Sequence, residues 1–243
     1  MSARGWVHEI FASVQGEGIY CGQRQTFVRL AGCNLSCSYC DTAFAVEPRP
    51  DSCRVERSPG SGDFDLYPNP LSPEDALALC LSLKSKTAAL TGGEPLCQIE
   101  FLAALLDYLK RRGISTYLET NGVLFDELAR VVERVDVVAM DIKLPSASGE
   151  ECWEDSARFL SVASRTQVFV KVVVAGNTTA SEVRRAAEII SGQHRRIALV
   201  IQPASRTGSD LTPSHLIDLQ SAALEVLDDV RVIPQCHKLL GLS

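Results

Sequence analysis

Short apolar blocks recur along the chain, separated by polar stretches rich in Gly, Pro, Ser and Asp. Many of these blocks are rich in β-branched residues, which is typical of buried strands. They predict strands at residues 26–30, 88–91, 115–119, 137–140, 167–174, 197–202 and 230–233. A further short strand is predicted over residues 1–10, leading into a Gly-rich turn at residues 15–18.

Between these strands, apolar residues recur every three or four positions, as on one face of a helix. Ser72 followed by Pro73 is a typical helix start, and Gly113 is a typical stop. Thr179 and Glu182 have the spacing of a capping box. Helices are therefore predicted from residue 72, over 99–109, over 125–135, around 153–160, from 179 and from 212.

Strands and helices alternate through most of the chain, which favours a parallel sheet with right-handed crossovers. About six such units are present, fewer than the eight of a closed barrel. We therefore predict an α/β fold, a partial and open parallel β/α barrel, with residues 1–243 forming a single domain. Residues 45–70 are rich in Pro, Gly, Asp and Ser without a sustained period, and they predict an inserted or mobile loop.

Composition narrows the class of protein. Of the 243 residues, 46% are hydrophobic and 22% are charged, so a disordered chain is excluded. The net charge is −6 and the longest basic run is Lys110-Arg111-Arg112, which disfavours nucleic acid as the main partner. No apolar run reaches the roughly 18 residues of a membrane helix. The N-terminus lacks a signal-peptide core, and nine cysteines without a secretion signal predict a cytoplasmic protein.

Three cysteines, Cys33, Cys37 and Cys40, follow the strand at 26–30 with C-x3-C-x2-C spacing. This spacing predicts a sulfur-bound metal or cluster rather than disulfides. Zinc would need a fourth ligand, a ferredoxin-type cluster needs four cysteines, and copper usually adds a nearby His or Met. A 4Fe–4S cluster on three cysteines would leave one iron open to a small molecule. Ordinary thiols without a ligand remain the alternative interpretation.

Polar motifs follow the predicted strands at their carboxyl ends, where parallel β/α folds bind ligands. After the cysteines come Thr91-Gly92-Gly93-Glu94, Glu119-Thr120-Asn121-Gly122, Asp141-Ile142-Lys143 and Gln202-Pro203-Ala204-Ser205. The absence of Cβ atoms at the Gly-Gly pair would let the backbone approach a ligand closely. These motifs predict one ligand site at this edge of the sheet.

The motifs also carry a family resemblance. Tyr39 precedes the last cysteine of the C-x3-C-x2-C motif, as in the radical S-adenosylmethionine (SAM) superfamily. The blocks at 15–18 (QGEG), 27–35 (FVRLAGCNL), 40–42 (CDT), 91–95 (TGGEP) and 235–238 (QCHK) resemble its 7-carboxy-7-deazaguanine synthase family. The resemblance covers essentially the whole chain. It implies the partial β/α barrel of the radical SAM type.

The resemblance implies a 4Fe–4S cluster on Cys33, Cys37 and Cys40, with SAM on the open iron. One electron from the cluster then cleaves SAM and releases a 5′-deoxyadenosyl radical. The implied SAM contacts are Gly93, Glu94, Asp141, Ile142, Lys143, Gln202, Pro203, Ala204 and Ser205. Without the resemblance, Asp141 and Lys143 are equally well explained as a salt bridge at a strand end.

The implied substrate is 6-carboxy-5,6,7,8-tetrahydropterin. Hydrogen abstraction, ring contraction and loss of ammonia would convert it to 7-carboxy-7-deazaguanine. The resemblance thus implies a lyase of queuosine and deazapurine biosynthesis. The implied substrate contacts are Val14, Gln15, Gly16, Glu17, Arg29, Thr91, His237 and the terminal carboxylate of Ser243.

Three of these assignments have a chemical rationale. Arg29 offers a planar fork for a carboxylate, although an inward ion pair is the alternative. Gln15 and Glu17 can pair with the guanidine-like edge of a pterin. Thr42 is implied as a Mg²⁺ ligand beside the substrate; from the sequence alone it would be a loop or N-cap residue.

The resemblance further implies a homodimer and an electron donor such as flavodoxin or ferredoxin, with no direct nucleic acid and no membrane. Two other functions remain open. A glycyl-radical-enzyme activase shares the cysteine spacing, the Gly-Gly-Glu and the Asp-Ile-Lys segment, but the 15–18 block, Arg29, Thr42 and the His237-Lys238 tail favour the pterin enzyme. A non-catalytic metal-binding module is the second alternative.

Overall fold

The structure, a computed structural model, describes residues 3–205 and 211–242. Its strands are β1 (Val7–Val14), β2 (Arg24–Leu30), β3 (Ser52–Glu56), β4 (Phe64–Pro68), β5 (Thr87–Gly92), β6 (Ser115–Thr120), β7 (Val137–Asp141), β8 (Gln167–Val174), β9 (Leu199–Pro203) and β10 (Val230–Val232). They form one sheet in the order β10-β9-β8-β7-β6-β5-β2-β1-β3-β4.

The α-helices are α1 (Pro73–Ser82), α2 (Ile99–Arg111), α3 (Phe125–Val131), α4 (Pro145–Ser148), α5 (Trp153–Ala163), α6 (Ala180–Ser191), α7 (Pro213–Leu224) and α8 (Cys236–Leu239). Short 3-10 helices lie at Gly18–Tyr20, Ala43–Val46, Pro95–Gln98 and Val132–Arg134. In the described ranges, no helix is both long and apolar enough to cross a membrane.

Seven strands, β2 and β5 to β10, run parallel to one another, and helices separate them along the chain. The edges of the sheet, β4 and β10, do not pair with each other, so the barrel is open. This confirms the predicted partial β/α barrel. The predicted caps are also confirmed: Ser72 accepts from the Asp75 N–H at 3.1 Å, and Thr179 forms a complete capping box.

The segment at 45–70, predicted as an inserted or mobile loop, contains regular structure that the sequence did not reveal. It contains β3 and β4, which pair with each other as an antiparallel hairpin, and β3 also pairs in parallel with β1. Cys53 and Val55 of β3 are buried in the core. The strand was missed because only these two apolar side chains mark its buried face, too few to establish a period.

The N-terminal strand was placed too early. β1 spans Val7–Val14 rather than residues 1–10, and it runs antiparallel to β2. Its end leads directly into Gln15, so the Gly-rich turn begins where the strand stops. The Gln15 N–H donates to the Gln23 carbonyl at 2.7 Å, and the Gly22 N–H donates to the Gln15 carbonyl at 2.8 Å. The turn is therefore held as a continuation of the β1–β2 hairpin.

Side chains on the two faces of the sheet enter two apolar clusters. The larger cluster, here called the outer core, lies between the sheet and its helices. The smaller, here called the inner cluster, consists of Phe11, Phe27, Ala89, Tyr117, Phe169, Ala198 and Val200. Within it, Phe11 and Phe27 stack with ring centroids 5.2 Å apart. The inner cluster fills part of the open barrel and leaves a cavity above it.

Candidate active site

A cavity of about 520 Å³ opens at the carboxyl ends of the parallel strands. Most residues implied as ligands by the sequence line it: Val14, Gln15, Gly16, Glu17, Arg29, Cys33, Cys37, Cys40, Thr42, Thr91, Gly93, Asp141, Lys143, Gln202, Ala204, Ser205 and His237. The expectation of one site at this edge of the sheet is therefore met in the placement of the residues. Their individual roles stay predictions.

Four of the implied residues are placed differently. Ile142 and Glu94 are fully buried, and the side chains of these two and of Pro203 do not line the cavity. Ser243 lies outside the described residues. Any contact of Ile142 with a ligand would have to come from its backbone, since its side chain packs in the outer core.

Glu94 has a structural explanation. Its carboxylate accepts hydrogen bonds from the Asn121 N–H at 2.7 Å and the Thr120 hydroxyl at 3.0 Å. Burial raises the pKa of this carboxyl to about 7, against the effect of these bonds. The side chain thereby ties the loop after β5 to the loop after β6.

The Gly92-Gly93 pair lines the cavity, and the lack of Cβ atoms there also has a structural use. A Cβ on Gly92 would lie 2.1 Å from the Leu30 carbonyl oxygen, and one on Gly93 would lie 2.0 Å from the Gly32 carbonyl oxygen. The Glu94 N–H donates to the same Gly32 carbonyl at 2.7 Å. The glycines therefore let the β5 loop pack against the base of the cysteine loop.

The cysteine loop follows β2 and is held from the far side by α4. The Ser38 N–H donates to the Ser148 carbonyl at 3.1 Å, and its hydroxyl donates to the Ala147 carbonyl at 2.6 Å. Cys33, Cys37 and Cys40 are each partly exposed to the cavity. Burial raises the pKa of the Cys33 thiol, and that of the Cys37 thiol to about 11.

The three cysteines of the loop line the cavity, and cysteine thiolates are the ligands that hold iron–sulfur clusters. In residues 3–205 and 211–242, no three Cys, His, Asp or Glu side chains are placed to hold one metal ion. The kind of metal or cluster that the loop binds stays a prediction.

Beside the cysteine loop, a group of polar side chains lies at what we call the SAM end of the cavity. Lys143 Nζ donates to the Tyr39 hydroxyl at 2.9 Å and to Asp141 Oδ2 at 3.0 Å. Burial would lower the pKa of Lys143, but Asp141 and Tyr39 outweigh it and raise that pKa well above its usual value. The lysine is therefore charged.

Three buried polar atoms at this edge lack a partner within the described ranges: Asn121 Oδ1, Asp141 Oδ1 and Gln202 Oε1. All three side chains line the cavity. Buried polar atoms in folded proteins are nearly always hydrogen-bonded, so unpaired ones facing a cavity indicate a polar ligand. All three are oxygen acceptors, so they fit the donors of a ligand with amine and hydroxyl groups, which SAM has.

A second group of polar side chains in the cavity, here called the substrate end, is built around Glu119 of β6. Gln15 Nε2 donates to Glu119 Oε1 at 2.8 Å, and the Thr91 hydroxyl donates to Glu119 Oε2 at 2.7 Å. The Gln15 side-chain carbonyl accepts from the Glu17 N–H at 3.0 Å. A fixed row of donors and acceptors results, which suits the edge of a planar heterocycle.

Arg29 lines the cavity and also forms the ion pair that the sequence left as an alternative. Its Nε donates to Glu9 Oε1 at 2.8 Å, and its guanidinium lies 5.6 Å from the Phe11 ring centroid. Both contacts orient the guanidinium. They do not exclude a carboxylate ligand, because Nε is only one of the donors of the fork.

Glu17 is the centre of a second network at the substrate end. Its carboxylate accepts from Lys171 Nζ and, at 2.5 Å, from Gln235 Nε2. Gln235 Nε2 also donates to Asp41 Oδ2 at 3.0 Å, and Lys238 Nζ donates to the same oxygen at 2.8 Å. Through these bonds the C-terminal α8 is fastened to both the Gly-rich turn and the cysteine loop.

His237 and Thr42 occupy defined positions at the substrate end. His237 packs on Gly16, where a Cβ would lie 2.0 Å from its Nδ1. Burial lowers the pKa of His237 below its ordinary value, which favours the neutral ring. Thr42 precedes the 3-10 helix Ala43–Val46, but its hydroxyl makes no cap hydrogen bond. The N-cap explanation of Thr42 therefore does not account for its side chain.

Several cavity residues were not given individual contacts from the sequence, although Glu119 and Asn121 belong to a motif that it placed at the site. They are Tyr39, Asp41, Glu119, Asn121, Lys171 and Gln235. A signal existed for Glu119 and Lys171, since each is a charged residue within an otherwise uncharged strand. Such a residue is expected to face a partner or a ligand, because an isolated buried charge is costly.

The fold, the cysteine loop and the cavity together define a radical SAM protein. The family model described as the Radical SAM superfamily matches residues 27–196. This superfamily uses a 4Fe–4S cluster and SAM, and the cavity residues fit both.

The comparisons with curated relatives are more specific. The chain is 41% identical to the 7-carboxy-7-deazaguanine synthase of Geobacter sulfurreducens, over 97% of this chain and 96% of that protein. It is 38% identical to the synthase of Methanopyrus kandleri, over 96% and 92%. The crystal structure of QueE from Escherichia coli has a similar fold, with a TM-score of 0.64, 20% identity and coverage of 96% and 95%. The chain belongs to the 7-carboxy-7-deazaguanine synthase family.

Proposed function

We propose that this chain converts 6-carboxy-5,6,7,8-tetrahydropterin to 7-carboxy-7-deazaguanine with release of ammonia, as a lyase of queuosine and deazapurine biosynthesis. The observation that carries the proposal is the shared cavity. Its SAM end contains the cysteine loop, and its substrate end contains the row of donors and acceptors around Glu119. Both ends fall within a chain that matches its relatives over nearly its whole length.

The floor of the cavity supports a flat substrate. Phe11, Phe27, Tyr117 and Phe169 belong to the inner cluster and line the cavity. Aromatic faces pack well against planar rings. A bicyclic heterocycle can lie on this floor while its edge meets Gln15 and Glu17.

In the proposed reaction the protein binds, orients and shields the reactants. Cys33, Cys37 and Cys40 hold the cluster; Asp141, Lys143 and the backbone at Gly93 are the proposed SAM contacts. When bound, the cluster and SAM supply a carbon-centred radical that abstracts one hydrogen atom. Arg29 is proposed to bind the substrate carboxylate, with His237 as a further substrate contact.

Mg²⁺ is part of the proposal. Thr42 lines the cavity next to Asp41, and its hydroxyl is not used as a helix cap. Mg²⁺ takes few protein ligands and keeps several waters, so one hydroxyl with substrate oxygens is a reasonable site. A homodimer, a flavodoxin or ferredoxin as electron donor, and a cytoplasmic location are further parts of the proposal.

The test is anaerobic turnover of the cluster-loaded protein with SAM, Mg²⁺, a reductant and the carboxytetrahydropterin. Mass spectrometry should find 7-carboxy-7-deazaguanine together with ammonium. Cys37→Ala should form neither. If SAM is cleaved but the pterin is recovered unchanged, the substrate assignment is wrong. A brown protein with about four iron atoms per chain supports the cluster, whereas one zinc per chain supports a structural module.

A further inference from the structure

Lys171 is a cation in the middle of an apolar strand, and none of the assignments above uses it. On β8, Val170 and Val172 enter the outer core, whereas Phe169 and Lys171 line the cavity. The Lys171 side chain is only 18% exposed. Removing an ammonium group from water costs free energy unless carboxylates or hydrogen bonds compensate for it.

Its two partners belong to the two polar groups of the cavity. Lys171 Nζ donates to Glu17 Oε2 at the substrate end and lies 3.4 Å from Asp141 Oδ2 at the SAM end. Burial would lower the pKa of Lys171, but Glu17 and Asp141 outweigh it and raise that pKa above its usual value. Lys171 therefore stays charged and joins the Glu17 network to the Asp141–Lys143 pair.

The lysine has a direct effect on Glu17. Burial by itself would raise the pKa of the Glu17 carboxyl, but the Lys171 charge and the hydrogen bonds from Lys171 and Gln235 together outweigh burial and lower that pKa below its ordinary value. Glu17 Oε1 is further fixed by Gln235 Nε2 at 2.5 Å. Glu17 is thus both ionised and held in one orientation at the substrate end.

We propose that Lys171 is a positioning residue that keeps Glu17 charged and oriented to accept hydrogen bonds from the N–H groups of the substrate's aminopyrimidine edge. The inference rests on the proposed function, because it requires a pterin-like ligand. If Glu17 were a neutral carboxylic acid, its O–H group would be a donor facing an N–H donor of the ligand, and that hydrogen bond would be lost. Without Lys171, binding should depend on whether Glu17 is ionised.

The direction of the pH effect follows from these charges. Without the lysine, burial raises the pKa of Glu17, so ligand affinity should be weak at low pH and recover as pH rises. Other titratable groups close to Glu17 are Asp41, Cys21, Tyr117 and His237. They are present in every variant, and so is the ligand's own ionisation. Lys171 also lowers the pKa of Asp41, so a comparison of variant and wild type at one pH removes only the effects that do not depend on Lys171. The double-mutant cycle with Glu17→Gln isolates the part that passes through Glu17.

The experiment measures the affinity of the full-length, cluster-loaded protein for 6-carboxypterin, the oxidised and fluorescent form of the proposed substrate. Titrations run from about pH 6 to about pH 9, which spans the range of a raised carboxyl pKa. At the low end, Lys171→Met should bind about tenfold or more weakly than wild type, the effect of one charge-assisted hydrogen bond. Near pH 9 the ratio of the dissociation constants of Lys171→Met and wild type should fall to about threefold or less. Lys171→Arg should stay near wild type throughout.

A double-mutant cycle shows whether the effect passes through Glu17. Glu17→Gln weakens binding by itself, but adding Lys171→Met to it should change the affinity little at any pH. If the pH dependence of Lys171→Met survives Glu17→Gln and disappears with Asp141→Asn, the lysine acts on the SAM end and the proposal is wrong. The proposal is also wrong if the ratio of the affinities of wild type and Lys171→Met does not change with pH.

Folding is checked separately. Lys86→Met removes an exposed lysine and should leave the titration unchanged. If Lys171→Met does not fold, Lys171→Gln keeps a donor without the charge and should show the same pH dependence. If the wild-type protein does not bind 6-carboxypterin at all, the proposed function is wrong. If the wild type binds and the Lys171→Met variant binds equally well at every pH, only the role of Lys171 is wrong.

Discussion

The outer face of the sheet packs against helices through a large apolar core, whereas the inner face carries a small aromatic cluster and then a polar cavity. The same strands supply both faces. In β8, Val168, Val170, Val172 and Val174 pack in or against the outer core, while Phe169, Lys171 and Val173 line the cavity. Side chains on a strand alternate between the two faces of the sheet. Alternate residues of one strand therefore contribute to the stability of the core and to the lining of the cavity.

Cysteines give the largest expected contrast between the two faces. Cys37→Ala should remove nearly all iron and all turnover, because a cluster on three cysteines cannot lose one ligand. Cys53 is fully buried in the outer core, and Cys53→Ala should keep its iron and lose only some stability. Iron analysis after anaerobic reconstitution measures both. Equal loss of iron in the two variants would rule out the three-cysteine site.

Arg29 tests the inner face of β2. Arg29→Lys should leave the cluster and SAM cleavage largely intact but raise the KM for the pterin, because lysine lacks the planar fork. The loss should be about 1.5–3 kcal/mol, or about tenfold to a hundredfold in KM.

Glu9→Gln is the matched control for the ion pair of Arg29. It removes the charge of the partner and leaves the guanidinium in place, so it should raise KM less than Arg29→Lys does. An unchanged KM in Arg29→Lys would remove this residue from the substrate site.

Two adjacent valines on β8 sharpen the comparison further. Val172 is fully buried in the outer core, and Val172→Ala should lower the free energy of unfolding by about 1–3 kcal/mol while ligand affinity stays unchanged. Val173 lines the cavity, so Val173→Ala should cost less stability and weaken ligand binding. Urea denaturation and a ligand titration on each variant separate the effects. The two faces would not differ as described if both variants lost the same stability and the same affinity.

Thr42 should show the smallest effect. If its hydroxyl binds Mg²⁺ with substrate oxygens, Mg²⁺ must tighten substrate binding by the same factor by which substrate tightens Mg²⁺ binding. Thr42→Ala should reduce this coupling by a few-fold, on the order of one neutral ligand bond, and Thr42→Ser should retain most of it. Calorimetric titration of substrate with and without Mg²⁺ measures the coupling. Wild-type metal dependence in Thr42→Ala would contradict the assignment.

Much of the fold could be predicted because its signals are local. The β-rich blocks, the amphipathic helices and the caps at Ser72 and Thr179 depend on residues within a few positions of one another. The hairpin of β3 and β4 could not be predicted in the same way. Its strands are five residues each, and β3 is stabilised by pairing with β1, which precedes it by many residues.

By itself, the sequence determined the alternation of strands and helices, the cysteine spacing and the polar motifs that end the strands. Only the tertiary structure decided which charges meet in the cavity. Lys171 and Glu17 are 154 residues apart, and Gln15 and Glu119 are 104 apart. Such pairs depend on the order and stagger of strands in the sheet, which no local pattern specifies. The stagger of β2 and β5 likewise decides that Gly93 packs against the Gly32 backbone and that the Glu94 side chain is buried.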